Sequence, residues 1–148
     1  MKLAVLFAAA AATIFAAGSA AYRTVYILPM SNALDQYLAI QLTTRDVVQV
    51  VADPQKADAI LTDHIGAGFE KKLDEIYGPK PKTEDQDADF RGTSSLESRG
   101  KGTVFLVDRK TRAVVWTTYV HEKGTSSDAM NDVAKKIADK LAKDSKVK

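Results

Sequence analysis

The chain has two histidines, and each has a carboxylate as its neighbour: Asp63-His64 and His121-Glu122. Imidazole titrates near neutral pH and ligates transition metals as the neutral base. If the two pairs met in space, four groups could bind a metal or share a proton. Each pair falls at the end of a predicted strand. Histidines there are commonly solvated or bonded to backbone, so a functional pair depends on the order of strands in the sheet.

A second acidic constellation is Asp85, Asp87 and Asp89, a D-x-D-x-D spacing that opens a calcium loop by bringing alternate carboxylates onto one hard cation. The match then fails. Phe90 occupies the sixth position, where the loop needs glycine. Leu96 occupies the twelfth, where it needs glutamate, and Glu97 follows one place late. A solvated acidic loop is the simpler reading. Gly66-Ala67-Gly68 before a short helix is similar to a phosphate-binding turn, but Lys71 stands where its third glycine belongs. A plain strand-to-helix turn is expected there.

Nucleophilic catalysis has little to work with. Ser94, Ser95, Ser126 and Ser127 are present without a G-x-S-x-G elbow, and the chain has no cysteine. No cofactor motif is read and no enzyme is expected. Trp116 lies mid-strand, in step with Val114, Thr118 and Val120. It is expected in the core, with a surface anchor as the alternative. The basic turn Arg109, Lys110 and Arg112 reads as a solvated tip. It could also contact lipid A phosphates or another anionic envelope polymer.

The elements that would position these residues follow from periodicity and turn chemistry. Residues 23–30 form a β-branched, aromatic run ended by Pro29, a first strand. Ser31-Asn32 offers a helix N-cap with Asp35 three residues on. Leu34, Leu38 and Leu42 then mark one apolar helix face, which ends at Asp46. Residues 47–51 (VVQVV) read as a short strand inside the sheet, Asp53-Pro54 as a turn, and residues 59–65 as a third strand. Phe69, Leu73 and Ile76 suggest a short helix. Residues 78–102 carry only Phe90 and Leu96 as large apolar groups and are expected to be a flexible loop, or an ordered excursion held by a partner.

Residues 103–107 and 113–121 predict a hairpin around 108–112. Ser126 or Ser127 caps a last helix, with Met130, Val133, Ala134, Ile137, Ala138 and Leu141 on its apolar face. The order β-α-β-β-(α)-loop-β-β-α predicts an α+β fold, an α/β two-layer sandwich. Its mixed sheet has about five strands, with helices packed mainly on one face.

The start of the chain bears on compartment. Lys2 precedes an apolar run at 3–17 broken only by Thr13, and Gly18-Ser19-Ala20-Ala21 supplies small residues. That is the layout of a secretory signal peptide over residues 1–20, cut near Ala20-Ala21. An uncleaved anchor is the alternative, although the run is shorter than the roughly 20 apolar residues of a spanning helix and rich in alanine. After cleavage no transmembrane segment is expected, and residues 21–148 form one domain. With no cysteine there is no lipidation site and no disulfide, so packing alone must hold that domain. The full chain carries a net charge of +2, and loss of Lys2 leaves +1. Such a charge gives no general attraction to nucleic acid.

Two segments resemble a family of small exported bacterial envelope domains. Lys56-Ala57-Asp58-Ala59-Ile60-Leu61 resembles a recurrent K-A-D start to a strand. Residues 107–116 (VDRKTRAVVW) look like the hairpin V-D-x-x-T-G-x-x-V-W, with Arg112 in the place of the usual glycine. The strand and helix order is similar to the TolB amino-terminal domain, the curli secretion lipoprotein and the penicillin-binding-protein activator lipoproteins. The resemblance implies a noncatalytic periplasmic module that docks on an envelope protein or anionic envelope polymer. Phe90, Arg91 and Leu96 of the loop are its first candidate contacts, and Arg109, Lys110 and Arg112 of the turn the second. The alternative is a metal- or small-ligand-binding periplasmic domain using His64 and His121 or the 85–89 acids.

Overall fold

A computed structural model describes residues 22–79 and 102–146 of the chain. The elements in order are β1 (Thr24–Ile27), α1 (Leu34–Thr44), β2 (Gln49–Val50), β3 (Ala59–Thr62), α2 (Ala67–Tyr77), β4 (Thr103–Asp108), β5 (Val114–Tyr119) and α3 (Ser127–Lys146). The five strands form one mixed sheet in the order β2-β1-β3-β4-β5. β1 runs parallel to both β2 and β3, whereas β3–β4 and β4–β5 are antiparallel. The fold is α+β, as the element order predicts.

α1 and α3 cover one face of the sheet. Leu34, Leu38 and Leu42 of α1 pack with Met130, Val133, Ala134, Ile137, Ala138 and Leu141 of α3 over Val25, Ala59, Leu61, Val104 and Leu106. All six residues of the expected α3 face are buried. Ser126 caps the helix, its Oγ accepting from the Ala129 N–H at 3.2 Å. α2 lies on the opposite face, where Phe69 and Leu73 pack with Leu28, Ile60 and Val107. β3 is therefore covered on both sides and buried throughout, which suits its run of Ala, Ile, Leu and Thr. Its one polar side chain, Thr62, donates to the His64 carbonyl at 3.0 Å.

Three expectations need correction. Among the described residues β2 is an edge strand of two residues, not an interior one. The apolar run around it arises because Val47, Val48 and Val50 pack against the α1–α3 core. The start of α1 is not capped by Asn32. Asn32 and Ala33 both sit at φ 57°, in the left-handed region, and Ala33 precedes the helix without a side-chain cap. Remote and local carboxylates satisfy this turn instead. Asp63 accepts from the Ser31 N–H at 2.8 Å, and Asp35 accepts from the Met30 N–H at 3.1 Å.

The third concerns β5. A register shift falls at Leu106/Val107, pairing Leu106 with Trp116 but Val107 with Val114. The extra residue, Val115, takes Val114 out of step with Trp116.

Candidate binding edge

The sheet order decides the fate of the histidines. β3 and β5 both run antiparallel to β4, so their C-terminal ends share one end of the sheet. They are two strands apart, about 10 Å at ordinary strand spacing. His64 Nδ1 lies 2.6 Å from its neighbour Asp63, whose other oxygen holds the Ser31 N–H. His121 Nδ1 lies 3.3 Å from the Tyr119 hydroxyl. The two pairs share an end of the fold but not their partners. Among the described residues no group of three or more His, Cys, Asp or Glu side chains converges as metal ligands would. Asp85, Asp87, Asp89, Phe90, Arg91 and Leu96 lie outside the described residues, as do Ser94 and Ser95.

At the other end of the sheet sits the basic turn, and much of its charge points inward. The Arg112 side chain is only 5% exposed. Its guanidinium donates to Asp74 at 2.6 Å, Glu70 at 3.1 Å and the Gly78 carbonyl at 2.8 Å. Burial disfavours the guanidinium charge, and its bonds to Asp74 and Glu70 more than reverse that, raising the Arg112 pKa above the ordinary value. Arg112 also sits at φ 59°. The turn thus keeps the left-handed geometry that usually selects glycine, held by three bonds to α2 and its end. Arg109 donates to the carbonyls of Gln55 at 2.5 Å and Ala57 at 3.3 Å, and lies 4.7 Å above the Tyr77 ring.

Asp108 organises the same turn. One oxygen accepts from the Lys110 and Thr111 N–H groups at 2.9 and 2.7 Å, and the other accepts from the Tyr22 hydroxyl at 2.9 Å. Burial works against ionising Asp108, but these bonds outweigh it and lower its pKa. Burial and then the Asp108 hydrogen bond push the Tyr22 hydroxyl up to about 12. Asp58, near Lys110, accepts from the Arg23 and Thr24 N–H groups at 3.3 and 3.2 Å. Together these groups edge a shallow cleft of about 300 Å³ lined by Tyr22, Arg23, Asp58, Asp108, Arg109 and Lys110. Its carboxylates already hold backbone and hydroxyl donors, so the cleft braces β1 against the hairpin.

Among the described residues β5 forms one margin of the sheet. Val120 N–H donates to Gly102 at 2.8 Å, which makes that pair a hydrogen-bonded one. By alternation Thr118 and Trp116 also bond toward β4, while the backbone groups of Thr117 and Tyr119 point away from the sheet. From 113 to 120 the sequence AVVWTTYV contains no charge and no proline, the usual guards of an exposed edge. Val114 is 44% exposed and Tyr119 56%.

α3 flanks this margin. Trp116 is half-buried against the core, and its Nε1 donates to Asp144 at 2.7 Å. Lys140 Nζ donates to the outward carbonyl of Tyr119 at 3.1 Å. Thr117, Tyr119 and Lys140 stand out only once strand order is known. The sequence signal was the uncharged run itself.

Comparison of the chain with protein-family models, curated proteins and solved structures gave no match.

Proposed function

We propose that this protein is an exported, non-enzymatic interaction module of the cell envelope, and that it captures partners by adding an extended segment to the β5 edge. The observation that carries the reading is the outward backbone of Thr117 and Tyr119, set in a strand without charge or proline. Main-chain hydrogen bonds supply affinity in this mode, and alternate side chains supply specificity. The leader-like start of the chain and its resemblance to envelope docking domains support the compartment. A protein segment fits better than an anionic polymer, because Arg109 and Arg112 spend their donors inside the molecule.

The test is site-specific photocrosslinking in intact cells that export the full chain. A crosslinker replacing Tyr119 should give a discrete adduct, and one replacing Ile40, equally exposed on α1, should not. Thr117→Pro should remove the adduct. Proline there deletes an outward donor and keeps the backbone bonds to β4, losing only the bond from the Thr117 hydroxyl to the Val104 carbonyl. Equal labelling from both positions, or an adduct that survives Thr117→Pro, overturns strand addition.

A further inference from the structure

One exposed stripe of α3, which reaches β5 through Lys140, is rich in lysine. Lys136, Lys140 and Lys143 are all exposed, spaced four and three residues apart, and so share one side of the helix. Two contacts fix that side against the open strand: Lys140 on the Tyr119 carbonyl and Asp144 on the Trp116 indole. Three acids border this stripe: Asp144 has its carboxylate on that indole, Asp139 pairs with Arg45 of α1, and Asp132 lies one turn before Lys136. A strand added beside β5 would carry alternate side chains on the α3 side, next to Lys140 and within reach of its lysine neighbours, with the intervening ones on the opposite face, beside Thr117 and Tyr119.

We infer that the occupant of the β5 edge is an extended acidic segment of a partner protein, alternating carboxylates with apolar residues. This rests on the strand-addition reading above and names the partner's chemistry. Lys140 acts as the gate. In the unbound chain its ammonium occupies the Tyr119 carbonyl and places a charge where strands of a neutral or basic chain would join. An incoming strand supplies an N–H to that carbonyl. The ammonium is then released to a partner carboxylate, so an acidic strand replaces the contact it breaks and a neutral one does not.

The full chain carries its own reporter, because Trp116 is the sole tryptophan and lies in β5. Its fluorescence is titrated with a short peptide alternating glutamate and valine, and with the glutamine and lysine counterparts. The glutamate peptide should bind at least about tenfold tighter than the glutamine one, the sum expected of three exposed charge pairs. That advantage should shrink in high salt and vanish when Lys136→Gln, Lys140→Gln and Lys143→Gln are combined. Thr117→Pro should abolish binding of every peptide. Alternate N-methylation of the glutamate peptide should do the same without altering the protein.

Equal binding of the glutamate and glutamine peptides, still lost on N-methylation, overturns the acidic partner and leaves strand addition standing. Binding indifferent to both N-methylation and Thr117→Pro overturns strand addition itself. Self-association without peptide, removed by Thr117→Pro, identifies a second copy as the occupant and overturns the acidic segment.

Discussion

The Arg112 guanidinium lies 2.6 Å from Asp74, joining the tip of the β4–β5 hairpin to a helix 38 positions earlier in the chain. The residue that makes this bond also occupies a backbone position that suits glycine. The two roles pull in opposite directions, and a pair of substitutions separates them. Arg112→Ala keeps the unfavourable backbone and loses the ion pairs. It should cost about 2–3 kcal/mol, below the range for fully buried pairs because Glu70 and Asp74 remain half exposed. Arg112→Gly loses the same bonds but relieves the backbone, and should be less damaging by about 1 kcal/mol. Urea denaturation of both variants checks the order. Equal losses would mean that the turn geometry carries no strain.

Ala33 offers the converse case. It holds φ 57° with no bond from its side chain to justify the position. Ala33→Gly should raise stability by about 0.5–1 kcal/mol, the relief of the left-handed conformation less the added freedom of the unfolded chain. The expected readout is a higher urea midpoint at unchanged slope.

Much of the fold is legible from local pattern. The spacing of Met130, Val133, Ile137 and Leu141 marks the buried face of α3, and 108–112 marks the hairpin, because in both the informative residues are chain neighbours. What is not legible depends on remote pairing. The VVQVV run reports packing of Val47, Val48 and Val50 against α1 and α3, not a place inside the sheet. The start of α1 looks like an Asn32 cap because Asp63, which holds the Ser31 N–H, is 32 positions away. Arg112 looks solvated until α2 is folded beside it. The outward direction of the Thr117 and Tyr119 backbone follows from strand order, which no periodicity encodes.

The brace between β1 and the hairpin predicts a stability that falls at both ends of the pH scale. The folded pKa of Asp108 is lowered, so below neutrality the unfolded state takes up a proton first. Its contribution is present above the ordinary carboxylate value, about 4, and is lost as pH falls through the folded value. Tyr22 has the opposite sign. Its folded pKa is raised to about 12, so the folded state retains a proton that the unfolded state has lost. That contribution is present below about pH 10 and is lost as pH rises toward the folded value. Tyr22→Phe should flatten the alkaline arm of a stability–pH curve and lower the plateau by about 1 kcal/mol for the lost hydrogen bond. Asp108→Asn should flatten the acid arm. An unchanged alkaline slope in Tyr22→Phe would assign that loss to other groups.

Tyr22 also constrains where an exported form could begin. The residue is 9% exposed within the α1–α3 core and its hydroxyl donates to Asp108. Cleavage after Ala20 or Ala21 leaves that anchor in place. Cleavage one residue later would remove a buried aromatic, a loss of about 3 kcal/mol by analogy with large-to-small core changes. Mass spectrometry of protein recovered from the envelope fraction should therefore read Ala21 or Tyr22 as the first residue. Replacing both Ala20 and Ala21 by leucine should block the cut, since the small pockets of the peptidase exclude it, and leave a precursor that begins at Met1. A wild-type protein that keeps Met1 would replace the cleaved leader with a retained membrane anchor. The β5 edge would then face partners at the membrane surface instead of in free solution.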